Sequence, residues 1–60
     1  MKIKVFTKRD LHKEFVVYWC GHWNTIKVKD FSEDMQQVEV YNYNLNSRTY
    51  VPNYFEVKGE

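Results

Sequence analysis

The sequence predicts one small α+β domain, a three- to four-stranded sheet carrying a single helix in the order β-β-β-α-β. Three observations predict it. Apolar and polar residues alternate over 2–7 and 23–29, the period of a strand with one buried face, and 14–19 is a β-branched and aromatic run. A serine followed by two acids opens the stretch 32–46, where apolar residues then recur at helical spacing. Sixty residues leave room for one domain, 1–60, and for no linker.

Taken in order, Lys2–Thr7 places Ile3 and Val5 on one side and Lys2, Lys4 and Phe6 on the other, a half-buried first strand. Lys8–Lys13 is polar and turn-like around Asp10. Glu14–Trp19 is apolar on both faces, with Phe15, Val17 and Trp19 one way and Val16 and Tyr18 the other, which marks a central strand. Gly21 breaks the pattern, and 23–29 alternates again, so a hairpin turns through Cys20-Gly21-His22. Ser32 is placed to cap a helix. Glu33 and Asp34 then sit at the positive end of its dipole, and Phe31 at the staple position. Met35, Val38, Tyr41 or Asn42, and Leu45 form its apolar stripe and Asn46 ends it. Pro52 interrupts pairing, and Phe55–Lys58 is the last strand. The expected core joins Ile3, Val5, Phe15, Val17, Trp19, Ile26, Val28, Phe55 and Val57 to Met35, Val38 and Leu45.

A second reading competes for residues 32–46. Val38–Tyr43 is rich in strand formers and pairs with Arg48–Val51 across Asn44–Ser47, which turns the chain into an all-β barrel of the SH3-like kind. Cap, dipole and stripe agree with one another, and that agreement favours the helix.

Composition narrows the chemistry. One cysteine, Cys20, excludes an internal disulfide, and one Cys with two His falls short of a structural zinc set, so no metal and no cofactor are expected. Cys20-Gly21-His22 is the sole local cluster of reactive types, and it reads as a tight turn. A domain of this size hardly encloses a cleft, so the chain is not expected to be an enzyme. Glycines occur at Gly21 and Gly59 alone, too few for a phosphate-binding loop. The N-terminal residues do not resemble a secretion signal and no apolar run spans a bilayer, so a cytoplasmic protein is expected.

Surfaces carry the functional expectation. Residues 1–29 hold seven basic against two acidic side chains, and residues 30–60 hold two against six. Aromatic residues make up 18% of the chain. With one sheet face against the helix, Phe6, Tyr18 and Trp23 lie on the other, flanked by Lys27 and Lys29. Tyr41 and Tyr43 lie on the helix face. These seven residues are the expected partner-binding set. Exposed aromatic area of this kind marks a protein-contact surface. The expected partner is a host protein, with nucleic acid as the alternative, because rings ringed by lysines also suit single strands. A homodimer is the third arrangement, and a membrane is not expected.

The octet Tyr50-Val51-Pro52-Asn53-Tyr54-Phe55-Glu56-Val57 resembles one stretch of the phage T7 inhibitor of bacterial RNA polymerase, a small phage-type host-takeover protein. There too a hairpin and an acidic helix precede Tyr-Val-Pro, two variable residues and Phe-Glu-Val. After the octet that family continues with a basic strand used on the polymerase, where this chain has Lys58, Gly59 and Glu60. No functional residue is carried over. The resemblance implies a class: small phage proteins that bind and inhibit a host macromolecule, a defence factor or the transcription machinery, by occluding a surface.

Overall fold

The computed structural model describes residues 2–58, and these form six strands with no α-helix. The strands are β1 (Lys2–Lys4), β2 (Glu14–Trp19), β3 (His22–Phe31), β4 (Gln37–Asn42), β5 (Ser47–Pro52) and β6 (Phe55–Val57). One antiparallel sheet holds them in the order β1-β6-β2-β3-β4-β5. The α+β expectation is therefore corrected, and the molecule fits the all-β alternative.

The β2–β3 hairpin forms where the sequence places it. Trp19 pairs with His22, so the loop is Cys20 and Gly21, with φ of 54° and 85°. Positive φ at both positions is the signature of a type I′ loop, whose twist matches that of the flanking strands. Nothing lies within 4 Å of a Cβ built on Gly21, so the need for glycine is one of backbone conformation alone. Gly21→Ala is expected to cost about 1 kcal/mol. Cys20→Asn, better suited to its left-handed site, is expected to gain about 0.5 kcal/mol. Urea midpoints measure both.

The helix expected over 32–46 is replaced by the β4–β5 hairpin. The residues that suggested a cap build a turn instead. The Ser32 N–H donates to the Gln37 carbonyl (2.9 Å), and the Gln37 N–H donates to Ser32 Oγ (2.9 Å). Asp34 Oδ1 accepts the Gln36 N–H (3.0 Å) and the Ser32 hydroxyl (2.8 Å), and these bonds hold its carboxyl below the usual carboxylate range. Met35 has φ 64°, which no right-handed helix allows. Serine and aspartate hydrogen-bond nearby backbone in turns as readily as at helix starts, so the cap signal was ambiguous. From Gln37 the β-period takes over: Val38, Val40 and Asn42 are buried and Gln37, Glu39 and Tyr41 face outward. Of the expected helical stripe, Val38 is core, Met35 lies in the turn and Leu45 is exposed at the next turn.

The first strand is also corrected. Ile3 pairs with Glu56, which puts it on the outer face, and both Ile3 and Val5 are 55% exposed. Phe6 points the other way and is fully buried. Its ring packs on Phe15 at 4.8 Å and on Phe55 at 5.2 Å between centroids. The gap beside Phe15 and Phe55 takes a flat ring in tilted contact with both, and Phe6 is the residue of this segment that supplies one. Lys4 shares the inner side and keeps its charge at the rim. Its Nζ lies 5.6 Å from the Phe15 centroid and 3.7 Å from Asp10 Oδ2. The core comprises Phe6, Val17, Ile26, Val28, Val38, Val40, Val51, Phe55 and Val57, with Leu11, Phe15, Trp19 and Phe31 packed against it.

Asparagines finish the structure. Asn42 Oδ1 accepts the N–H groups of Asn44 (2.8 Å) and Leu45 (3.1 Å) and so shapes the β4–β5 loop. Asn24 Nδ2 donates to the carbonyls of Trp19 and His22 (3.0 Å each) behind the β2–β3 loop. At the opposite end Asn53 Oδ1 accepts the Phe6 N–H (2.8 Å), and its Nδ2 donates to the carbonyls of Phe6 (3.0 Å) and Met35 (3.1 Å). Its amide thus acts as a peptide group. It stitches the segment after β1 to the segment after β5, the two ends of the strand order, and the sheet curls around the core.

Candidate contact surface

The outer face of the sheet is assembled from cross-strand rows. In one row Ile3 is opposite Glu56, Glu56 opposite Tyr18, and Tyr18 opposite Trp23. In a second, Glu14 is opposite Lys27, Lys27 opposite Tyr41, and Tyr41 opposite Arg48. Strand alternation alone puts these side chains outward, because Val17, Ile26, Val40 and Val57 hold the inward positions. Register then makes the aromatics neighbours.

The rings meet edge to face. Tyr18 and Trp23 lie 5.3 Å apart between centroids, and Tyr41 and Tyr43 lie 5.0 Å apart. The Lys58 ammonium sits 5.7 Å from the Trp23 centroid, a cation over a π-face. The Tyr43 hydroxyl donates to Glu14 Oε2 at 2.8 Å, and the Tyr41 hydroxyl donates to Asn46 Oδ1. Tyr18 and Tyr43 remain 44% exposed.

Six of the seven expected contact residues map as follows. Tyr18, Trp23, Lys27 and Tyr41 share the outer face. Tyr43 begins the β4–β5 loop beside Tyr41, so the two tyrosines belong to a strand and its loop, not to a helix. Lys29 falls at the bulge between Val28 and Asp30, where β3 slips one residue against β4, and so stands outside the rows. The seventh, Phe6, is core and cannot touch a partner. Sequence reasoning passed over Lys58, Glu14, Arg48 and Tyr50. Lys58 was legible as the residue two beyond Glu56, on the same side of the last strand.

Charge on this face is mixed and close to balanced. Glu14, Asp30, Glu39 and Glu56 stand among Lys27, Arg48 and Lys58, with Asp30 opposite Glu39 and Arg48 Nε 3.9 Å from Glu39 Oε2. The Glu14 carboxylate accepts from Tyr43 and pushes its phenol above the ordinary value, aided by partial desolvation. The sign follows. A phenol held protonated by the fold contributes its full stability below the unfolded value near 10.0 and loses it as pH rises through the folded value. Glu14→Gln is expected to return Tyr43 toward its ordinary titration. Tyrosine ring resonances followed by NMR against pH give the answer.

Among the described residues, no three His, Cys, Asp or Glu side chains come close enough to hold a metal ion. Cys20 is an exposed free thiol at the β2–β3 loop. A shallow recess lies between the Ser32–Gln37 turn and Pro52, lined by Ser32, Glu33, Asp34, Gln36, Gln37 and Pro52. Also among the described residues, no helix is long and apolar enough to cross a membrane. No family model, curated protein or solved structure matches the chain.

Proposed function

We propose that the chain is a non-enzymatic binding protein that acts by covering a surface of another protein with the outer face of its sheet. The observation that carries this reading is the pair of edge-to-face aromatic contacts, Tyr18–Trp23 and Tyr41–Tyr43, held side by side on a face whose charges are close to balanced. Tyrosine and tryptophan supply large contact area with few rotatable bonds, and they dominate the binding energy of protein interfaces. Near-balanced charge favours a protein over a nucleic acid, because a phosphate backbone calls for unpaired cations. The phage-type class implied by the octet fits this mode of action, with a host protein as target and the host cytoplasm as the place where Cys20 stays reduced. Within the octet Val51, Asn53, Phe55 and Val57 are buried, so Tyr50 and Tyr54 are the octet aromatics left for contact.

The test is affinity capture from bacterial lysate with the parent chain and with Trp23→Ala and Tyr41→Ala. One stoichiometric protein is expected, with binding weakened about 30-fold or more by Trp23→Ala, the scale of an interface hot spot. Circular dichroism checks that each variant stays folded. Capture that is absent, or indifferent to both substitutions, overturns the reading. Retention of single-stranded DNA or RNA that salt removes would replace it with the nucleic-acid alternative.

A further inference from the structure

The two rims of the sheet differ. β1, at one end of the strand order, has three residues, two of them lysines, which is how edges are normally blunted. β5, at the other end, has six residues, Ser47 to Pro52, with one charge, Arg48. It carries no bulge, since the slip in the sheet lies within β3 against β4. The Asn53 N–H donates to the Gln36 carbonyl (3.0 Å), so Asn53 faces β4. By the two-residue repeat Val51, Thr49 and Ser47 face β4 as well, and Pro52, Tyr50 and Arg48 face the free rim. Pro52 is tolerated for that reason: its nitrogen needs no partner there. Among the described residues, no backbone–backbone turn, loop or cap bond ends on Arg48 or Tyr50, and the Tyr50 carbonyl accepts the Thr49 hydroxyl at a long 3.4 Å, leaving its second lone pair for the rim.

We infer that this rim pairs with β5 of a second copy of the chain, antiparallel about a two-fold axis through Thr49. Register selects the arrangement. Outward-facing residues must meet outward-facing residues for their N–H and C=O groups to bond. Placing Arg48 on Arg48 sets like charges directly opposite. Placing Tyr50 on Tyr50 puts Arg48 against Pro52, which has no N–H to give. The register between them puts Arg48 opposite Tyr50 of the second copy, and the reverse, with Thr49 opposite Thr49. Each Arg48–Tyr50 pair then exchanges both backbone bonds. The guanidinium lies by a ring that is 48% exposed in the single chain, with Glu39 of that copy next in the row. The outer faces of the two sheets become continuous, so the binding protein would present its aromatic rows in duplicate.

The strip is short, which makes the association one of the transient class. Sedimentation and NMR from ~10 μM to ~1 mM test it, a range suited to such affinities. The expected result is a mass that rises toward twice that of the chain, with concentration-dependent amide shifts centred on residues 47–51. Tyr50→Pro removes one outward N–H per copy at an edge position that tolerates proline, and is expected to abolish the rise while keeping the parent circular dichroism. If Tyr50→Pro unfolds, Arg48→Glu serves in its place, since it sets an acid beside Glu39 of the second copy and is expected to weaken association at least 10-fold. A parent chain that stays monomeric across the range overturns the inference. So does a dimer untouched by the folded variant, or one whose shifts centre on Tyr18 and Trp23.

Discussion

Replacing Phe6 with alanine is expected to remove about a third or more of the chain's total stability. The side chain has no exposed surface, and its ring is held between Phe15 and Phe55. Removing such a ring costs about 3–5 kcal/mol, from lost burial and the cavity left behind. A domain of sixty residues has about 3–9 kcal/mol in total. Phe6→Leu, which keeps most of the volume, is expected to lose roughly half as much. Urea unfolding followed by tryptophan fluorescence measures both. Had Phe6 lain on the outer face, its truncation would have changed stability by about 0.5 kcal/mol or less, so the experiment separates the two placements of β1 cleanly.

Asn53→Ala is the second large effect, expected at about 2–4 kcal/mol. The alanine leaves the Phe6 N–H, the Phe6 carbonyl and the Met35 carbonyl without the partner that bonds all of them in the parent chain. Asn53→Asp keeps the acceptor for the Phe6 N–H but sets a carboxylate against two carbonyls, so it is expected to be no better than alanine at neutral pH. Hydrogen exchange at the Phe6 amide reports the seam directly: it should approach the global-unfolding limit in the parent and run far faster in both variants. A loss under about 0.5 kcal/mol would mean that water replaces the amide without cost.

The elements that were legible in the sequence are those whose signals had one meaning. β2 is a continuous apolar run, β3 alternates cleanly and Gly21 marks the loop between them, so the hairpin and its inward residues followed, while the opposition of Tyr18 and Trp23 came from a loop one residue shorter than the sequence suggested. β6 was legible for the same reason. The stretch 32–46 was not, because serine, aspartate and asparagine stabilise helix ends and turns by the same side-chain bonds to backbone. The β-forming run Val38–Tyr43 decided between them only through its pairing with β3 and β5, and pairing is a long-range property that periodicity does not contain. β1 failed by one residue of phase. Ile3 and Val5 looked like the buried set, but the interior had room for Phe6, and a strand that shifts by one residue turns every side chain over. Tyr41 and Tyr43 were singled out from the right composition on the wrong element. The charge pattern of the outer face could not be read, since Glu14 meets Lys27, and Glu39 meets Arg48, across strands and not along the chain.

The Asn53–Phe6 link spans 47 residues of chain. The meander β2–β5, by contrast, is built from hairpins between consecutive strands. Chain closure over long distances is entropically slow, so the meander is expected to zip first and the first strand to dock last. During synthesis residues 2–6 emerge before β6 and Asn53, with which they pair, exist. They must wait, unstructured, until β6 has cleared the ribosome, and only then does the Asn53 amide lock the molecule shut.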